Sequence, residues 1–115
     1  MAYLGPVGTF SEMAMQRQFG SSVTGLPCAT LDDVFRTTEA GSADLAIVPL
    51  ENSSEGAVNR TLDLLLATPL GMLAEVSVSV QHNLLTKSGS MSGVVRVCAH
   101  AQALAQCTGW LNQHW

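Results

Sequence analysis

Charge is what this chain has least of. Asp, Glu, Lys and Arg make up only 12% of its 115 residues, and the five Lys and Arg are scattered singly. A net charge of −4 without clustered basic residues argues against nucleic acid as a partner. No apolar run approaches membrane-spanning length, and no basic segment followed by an apolar one stands near Met1. No membrane association and no signal peptide are therefore expected, and a cytoplasmic location follows. Cysteine is sparse and odd in number. Cys28, Cys98 and Cys107 lack C-x-x-C spacing, which predicts three buried or half-buried free thiols in a reducing compartment. His82, His100 and His114 share no ligand spacing with them, so no metal site is expected. There is no G-x-G-x-x-G, no Gly-Lys-Ser/Thr ending, no Ser-His-Asp order and no lysine beside a motif. Nucleotide cradles, triad hydrolysis and Schiff-base chemistry lose their usual carriers.

What is present is apolar and periodic. Hydrophobic residues reach 47%, and the length allows one domain around one core. Ala2 to Leu4 reads as a short buried strand. Gly5-Pro6-Val7-Gly8 breaks it, and Thr9-Phe10-Ser11 leads into a helix through Phe19, with Glu12 in its first turn and Met13 opposite Gln16 or Arg17. Val23 to Leu26 is a second strand. Thr30 caps a helix whose apolar stripe is Leu31, Val34, Phe35 and Thr38, and Gly41 ends it.

The central stretch runs from Asp44 to Val58. An apolar run of strand length, Leu45 to Leu50, gives way to Glu51, Asn52 and Ser53. Apolar residues then recur at helical spacing at Val58, Leu62, Leu65 and Leu66. A strand, a polar turn and a helix beginning near Ser54 are expected. In open α/β sheets such a junction lies at the ligand-binding end. Either Asn52, Ser53 or Ser54 caps the helix, or the free N–H groups of its first turn hold an anion. Glu39, Asp44 and Asp63 read as solvated or capping charges.

Thr68-Pro69 stops the long helix. Ala74, Val76, Val78 and Val80 then alternate with Glu75, Ser77 and Ser79, the period of a half-buried strand. His82 reads as a hydrogen-bonded core histidine before it reads as a catalyst. Val94 to Cys98 is a further short strand, and a last helix covers about Ala101 to Gln113. Its apolar stripe is Leu104, Cys107 or Thr108, Leu111 and Trp115, with Gln102, Gln106, Gly109 and Gln113 on another face. His100, Gln102 and Gln106 thus stand at the start of a helix that follows a strand. The fold class is α/β with repeated strand-turn-helix units. Its polar clusters, neutral hydrogen-bonders plus one carboxylate, suit a small-molecule binding module or an enzyme whose reaction asks little chemistry of the protein.

Four ordered motifs give these clusters a family. Gly5-Pro6-Val7-Gly8-Thr9-Phe10-Ser11 resembles the G-P-x-G-T-F-S opening of prephenate dehydratases. Val48-Pro49-Leu50-Glu51-Asn52-Ser53-Ser54-Glu55-Gly56-Ala57-Val58 with Thr61-Leu62-Asp63-Leu64-Leu65 resembles their central signature. His82-Asn83-Leu84-Leu85 and His100-Ala101-Gln102-Ala103-Leu104-Ala105-Gln106-Cys107 match two later segments. The resemblance implies two α/β lobes like a type II periplasmic binding protein, with residues 1–73 forming most of the first lobe. Residues 74–115 would be a crossing strand and the start of a second, incomplete lobe. It implies conversion of prephenate to phenylpyruvate in phenylalanine biosynthesis, without metal or cofactor. Glu51, Asn52 and Gln106 match active-site positions, and Thr9, Ser53, Ser54 and His100 line the same cleft. Glu51 would orient its neighbours or, with a pKa raised by burial, donate a proton.

Two departures from the family pattern stand out. Ala99-His100-Ala101-Gln102 replaces the usual Ser-His-Pro-Gln, removing a hydroxyl and a helix-start proline. The family's Thr-Arg-Phe motif and its regulatory ACT domain do not appear, so the resemblance implies a truncated piece, inactive alone and blind to phenylalanine. A homo-oligomer is expected from the apolar faces such a piece exposes. Arogenate as substrate, or a non-catalytic binding module, are the competing readings.

Overall fold

The computed structural model describes residues 1–53 and 56–114. They fall into two compact units, Met1–Ser79 and Val80–Trp115.

In the first unit, β1 (Ala2–Leu4) is the middle strand of a parallel sheet, flanked by β2 (Leu26–Cys28) and β3 (Ala46–Ile47) in the order β2-β1-β3. Ala2 is in register with Leu26 on one side and Ala46 on the other. Successive side chains of a strand point to opposite faces, and β1 uses both. Ala2 packs with Val34 of α2 (Leu31–Glu39) and with Ala43, and Leu4, Cys28 and Val48 close around them. Burying Val34 completely contributes about 1.5–3 kcal/mol. Tyr3 points the other way, toward α1 (Phe10–Phe19), where its hydroxyl donates to Glu12 Oε2 at 2.9 Å. The path from β1 through α1 to β2, and back across β1 through α2 to β3, therefore covers both faces of the sheet, as right-handed crossovers require.

Both helices start where the sequence places them. Thr9 Oγ1 accepts from the Glu12 N–H at 3.3 Å, and Thr30 Oγ1 from the Asp33 N–H at 3.1 Å. The buried stripe of α2 is Val34, Phe35 and Thr38, with Leu31 half-buried, as its spacing predicts. In α1 the buried residue is Met15, whereas Met13 is exposed. The second strand starts three residues later than expected and ends two later, where it registers with β1.

The central stretch departs most from expectation. The apolar run yields only the two-residue β3, an edge strand with Leu45 and Leu50 exposed. The polar turn is not the start of a helix. Glu51–Asn52 (β4) and Gly56–Ala57 (β5) form an antiparallel hairpin, with Glu51 opposite Ala57 and Asn52 opposite Gly56. Gly56 has φ 79°, which no α-helical residue adopts. The Val58 N–H then returns to the Leu50 carbonyl at 2.8 Å, and α3 (Asn59–Ala67) begins with no side-chain cap. Its inward residues are Thr61, fully buried, and Leu64 and Leu65, half-buried, while Leu62 and Leu66 face solvent. Arg60 binds the carboxylate of Asp32 through two hydrogen bonds, Nε to Oδ1 at 2.9 Å and Nη2 to Oδ2. The Thr68 hydroxyl donates to Glu39 at 2.6 Å. Both contacts tie α3 to α2.

No strand forms in 68–100 among the described residues. The expected strands at Ala74–Val80 and Val94–Cys98 are instead irregular. An alternating pattern states which side chains are to be covered but supplies no partner backbone, and a strand exists only by pairing. The alternation survives in burial only at its middle, where Val76 and Val78 are half-buried between exposed Glu75, Ser77 and Ser79, while Ala74 and Val80 are exposed.

In the second unit, the single expected helix is two: α4 (Ala101–Gln106) and α5 (Thr108–His114). Cys107 has φ −105° and ψ 7° and breaks the run. The Thr108 hydroxyl folds back to the Leu104 and Ala105 carbonyls at 3.1 and 3.0 Å. Trp110 and His114 stack with ring centroids 4.0 Å apart. Cys28 and Cys107 are half-buried, but Cys98 is exposed, since no strand forms to cover it. Among the described residues no helix is long and apolar enough to cross a membrane.

Candidate functional site

In a sheet with the order 2-1-3, the crevice lies outside the carboxyl ends of the strands, where connections from the first and third strands diverge. Here the segment leaving β1 is Gly5 to Thr9, and the segment leaving β3 is Val48 to Ser53. Four of the expected site residues, Thr9, Glu51, Asn52 and Ser53, therefore belong to the two connections that flank this switch point.

The first connection is clamped by a residue that the sequence reading left as a first-turn charge. Glu12 receives the Gly8 N–H on Oε1 and the Tyr3 hydroxyl on Oε2, both at 2.9 Å. Gly8 has φ 94°, a conformation that a β-carbon resists, which accounts for glycine there. Burial, with the Glu12 bond and charge behind it, pushes the Tyr3 hydroxyl above the ordinary tyrosine pKa. Thr9 is engaged twice, donating to the Leu4 carbonyl at 3.2 Å and capping α1. Its hydroxyl is half-buried architecture as well as a cleft candidate. A shallow depression of about 570 Å³ lies beside this turn, lined by Gly5, Pro6, Val7, Pro27, Cys28 and Ala29.

The second connection is fixed by Thr61. Its buried hydroxyl donates to the Pro49 carbonyl at 2.7 Å, two residues before Glu51. Together with the Val58–Leu50 bond this holds both ends of the hairpin. Glu51 and Ser53 are exposed and Asn52 is half-buried. Ser54 lies outside the described residues. The expected anion pocket at a helix beginning near Ser54 is overturned, because the helix starts only at Asn59. Glu51 and Asn52 are adjacent in one strand, so their side chains leave it on opposite faces, the exposed Glu51 on one and the half-buried Asn52 on the other.

The remaining candidates belong to the second unit. His100 Nδ1 accepts from the Gln102 N–H at 3.1 Å, so His100 is the N-cap of α4. Gln106, at the other end of α4, is half-buried, and its Oε1 meets His82 Nε2 at 2.6 Å. His82 is exposed and not the core histidine expected. No lone histidine carries a sequence signal for such a contact, which spans 24 residues of chain. Among the described residues no cluster of three or more His, Cys, Asp or Glu could hold a metal ion.

The family model for prephenate dehydratase matches residues 1–115. The chain belongs to the prephenate dehydratase family. It is 48% identical over 114 residues to the bifunctional chorismate mutase/prephenate dehydratase of Neisseria gonorrhoeae, covering 98% of this chain and 32% of that protein. It is 40% identical over 114 residues to arogenate dehydratase 5, chloroplastic, of Arabidopsis thaliana, covering 98% of this chain and 27% of that one. The X-ray structure of prephenate dehydratase from Streptococcus mutans superposes with a TM-score of 0.53 at 38% identity, over 56% of this chain and 34% of that one. The chain thus spans about a third of the length of the curated prephenate dehydratases it matches.

Proposed function

We propose that this chain is part of a cytoplasmic enzyme of phenylalanine biosynthesis that converts prephenate to phenylpyruvate, water and CO2. The observation that carries the reading is the placement of Thr9 and the Glu51–Asn52 strand on the two connections flanking the β1/β3 switch point, in a chain matched throughout by the family model. The reaction breaks the bond between the ring and its carboxylate. That electron pair enters the ring, and hydroxide leaves from the opposite carbon with a proton. Aromatisation drives the step, so the protein needs no metal or cofactor. Its tasks are to hold two carboxylates and to stabilise charge on the departing oxygen.

In this reading Asn52 donates its amide N–H to the substrate, Glu51 orients its neighbours, and Gln106 supplies a second amide, while the departing hydroxide takes its proton from water. Thr9, Ser53, Ser54 and His100 hold the substrate around them. The two lobes of a type II periplasmic binding protein would enclose it, residues 1–73 belonging to the first lobe and 74–115 to the crossing strand and second lobe. The assembly is a homo-oligomer.

The test is turnover in a full-length protein carrying this sequence, followed as phenylpyruvate. Asn52→Ala is expected to lower kcat/KM by roughly ten- to a thousandfold, the scale of a lost transition-state hydrogen bond. A wild-type value would remove Asn52 from the site. The 115 residues alone are expected to show no turnover. The identity to an arogenate dehydratase favours arogenate as the second reading, and an assay on both substrates separates the two.

A further inference from the structure

We propose that His82 is a positioning residue for Gln106, fixing which end of its amide faces the substrate. This rests on the reading that Gln106 contacts prephenate.

A glutamine amide has two chemically opposite ends, Oε1 that only accepts and Nε2 that only donates. A rotation of about half a turn exchanges them. Toward a dianionic substrate the two orientations differ in sign: Nε2 attracts a carboxylate or a departing hydroxide, and Oε1 repels it. Nothing intrinsic to the side chain selects between them.

His82 Nε2 lies 2.6 Å from Gln106 Oε1. With the amide in this orientation Oε1 accepts, which assigns His82 the tautomer with its hydrogen on Nε2. The contact holds the oxygen end of the amide and leaves the two N–H donors of Nε2 to point elsewhere. The backbone beneath Gln106 is fixed independently. The His100 ring caps the first turn of α4, and the Cys107 N–H closes its last turn on the Ala103 and Leu104 carbonyls, both at 3.2 Å. With the backbone fixed, the side-chain torsions of Gln106, the amide rotation among them, are left to be set, and the contact that sets them comes from His82, 24 residues away.

Four variants in a full-length protein carrying this chain test the proposal: His82→Ala, His82→Gln, Gln106→Ala and the double alanine variant. His82→Ala is expected to lower kcat/KM by roughly ten- to a hundredfold, as for a misplaced group in a positioned site. His82→Gln, which can place an N–H near the position of Nε2, is expected to restore most of the loss. In the Gln106→Ala background, removing His82 is expected to cost nothing further. Losses that multiply would show that His82 acts alone and would overturn the proposal. A wild-type rate for Gln106→Ala would instead remove Gln106 from the site and fail the parent reading. A contact readout independent of activity comes from the same full-length protein, in which the Gln106 side-chain amide nitrogen and proton resonances should move in His82→Ala and return toward their wild-type positions in His82→Gln. Unchanged resonances in His82→Ala would overturn the proposal whatever the kinetics.

Discussion

Thr61 of α3, itself fully buried, donates its hydroxyl proton to the carbonyl of the half-buried Pro49 at 2.7 Å. One buried hydroxyl thus sets where the β3 connection turns toward Glu51 and Asn52. Thr61→Val keeps the shape and removes the donor, leaving the Pro49 carbonyl unsatisfied. The expected cost is about 1–3 kcal/mol, seen as a lower midpoint in urea unfolding, with Thr61→Ser closer to wild type. A Thr61→Val midpoint equal to wild type would deny the bond a structural role.

Tyr3 is the chain's only tyrosine, so its ionisation can be followed alone by ultraviolet absorbance. Its folded pKa is raised, first by burial and then by the hydrogen bond and charge of Glu12. The folded state therefore holds this proton more tightly than the unfolded state. The stabilisation is complete below the ordinary tyrosine pKa of about 10 and is lost as pH rises through the folded value. The absorbance midpoint is expected above that of free tyrosine, and stability is expected to fall with pH there. In Tyr3→Phe this alkaline decline should be shallower. A tyrosine titrating at its ordinary value would contradict the burial and the Glu12 contact together.

Asp32 and Arg60 are a half-exposed pair, and the guanidinium bonds hold the Asp32 carboxyl below its usual pKa. The sign is opposite to that of Tyr3. This contribution is present above the ordinary carboxylate range and is lost as pH falls through the lowered value. A carbon-detected titration should find Asp32 displaced downward in wild type and restored toward normal in Arg60→Gln. Because both groups reach solvent, the displacement should shrink in molar salt. A displacement unchanged in molar salt would mean that the pair is shielded from solvent.

Gly25 precedes β2 under the Tyr3 ring. A β-carbon there would sit 2.8 Å from Tyr3 Cε1 and 3.0 Å from Met15 Cε. Met15 can give way, but the ring is held by Glu12 through its hydroxyl. Gly25→Ala is expected to destabilise by about 1–3 kcal/mol, the usual cost of an overfilled core. Combined with Tyr3→Leu, which withdraws the ring edge, it should cost measurably less than the sum of the two. Strict additivity would place the strain elsewhere.

How much of this was legible in the sequence depended on where the deciding partner lay. Thr9 and Thr30 act on N–H groups three residues away, and both caps were readable because capping is local. The Val34-Phe35-Thr38 stripe was readable because helical spacing alone fixes a face. The Leu45–Leu50 run misled, since an edge strand needs no more than the two residues that its neighbour pairs. The hairpin was not legible because the helical spacing of Val58, Leu62, Leu65 and Leu66 does not mark where a helix begins, and the positive φ of Gly56 serves a return of the chain. Glu51, Asn52 and Ser53 were legible as a polar cluster after a strand. Of the ties that hold or orient that chemistry, Glu12 to Gly8 lies one residue beyond what the Thr9-x-x-Glu12 capping-box spacing encodes, and Thr61 to Pro49 and His82 to Gln106 are side-chain contacts that no spacing rule encodes.

The middle position of β1 has a consequence for how the chain assembles. Its partners begin at residues 26 and 46, so Ala2 waits for segments 26 − 2 = 24 and 46 − 2 = 44 positions away. Synthesis runs from the amino end, so β1 emerges before either neighbour and carries two unpaired edges until they arrive. α1 can form alone in that interval, and it would shelter only the Tyr3 face. The sheet closes only when residue 47 is free to pair, and the loop entropy of that second closure falls on a strand of two residues. Refolding should therefore be limited by the docking of β3, and substitutions at Ala46 or Ile47 should slow folding more than equal losses placed in α1.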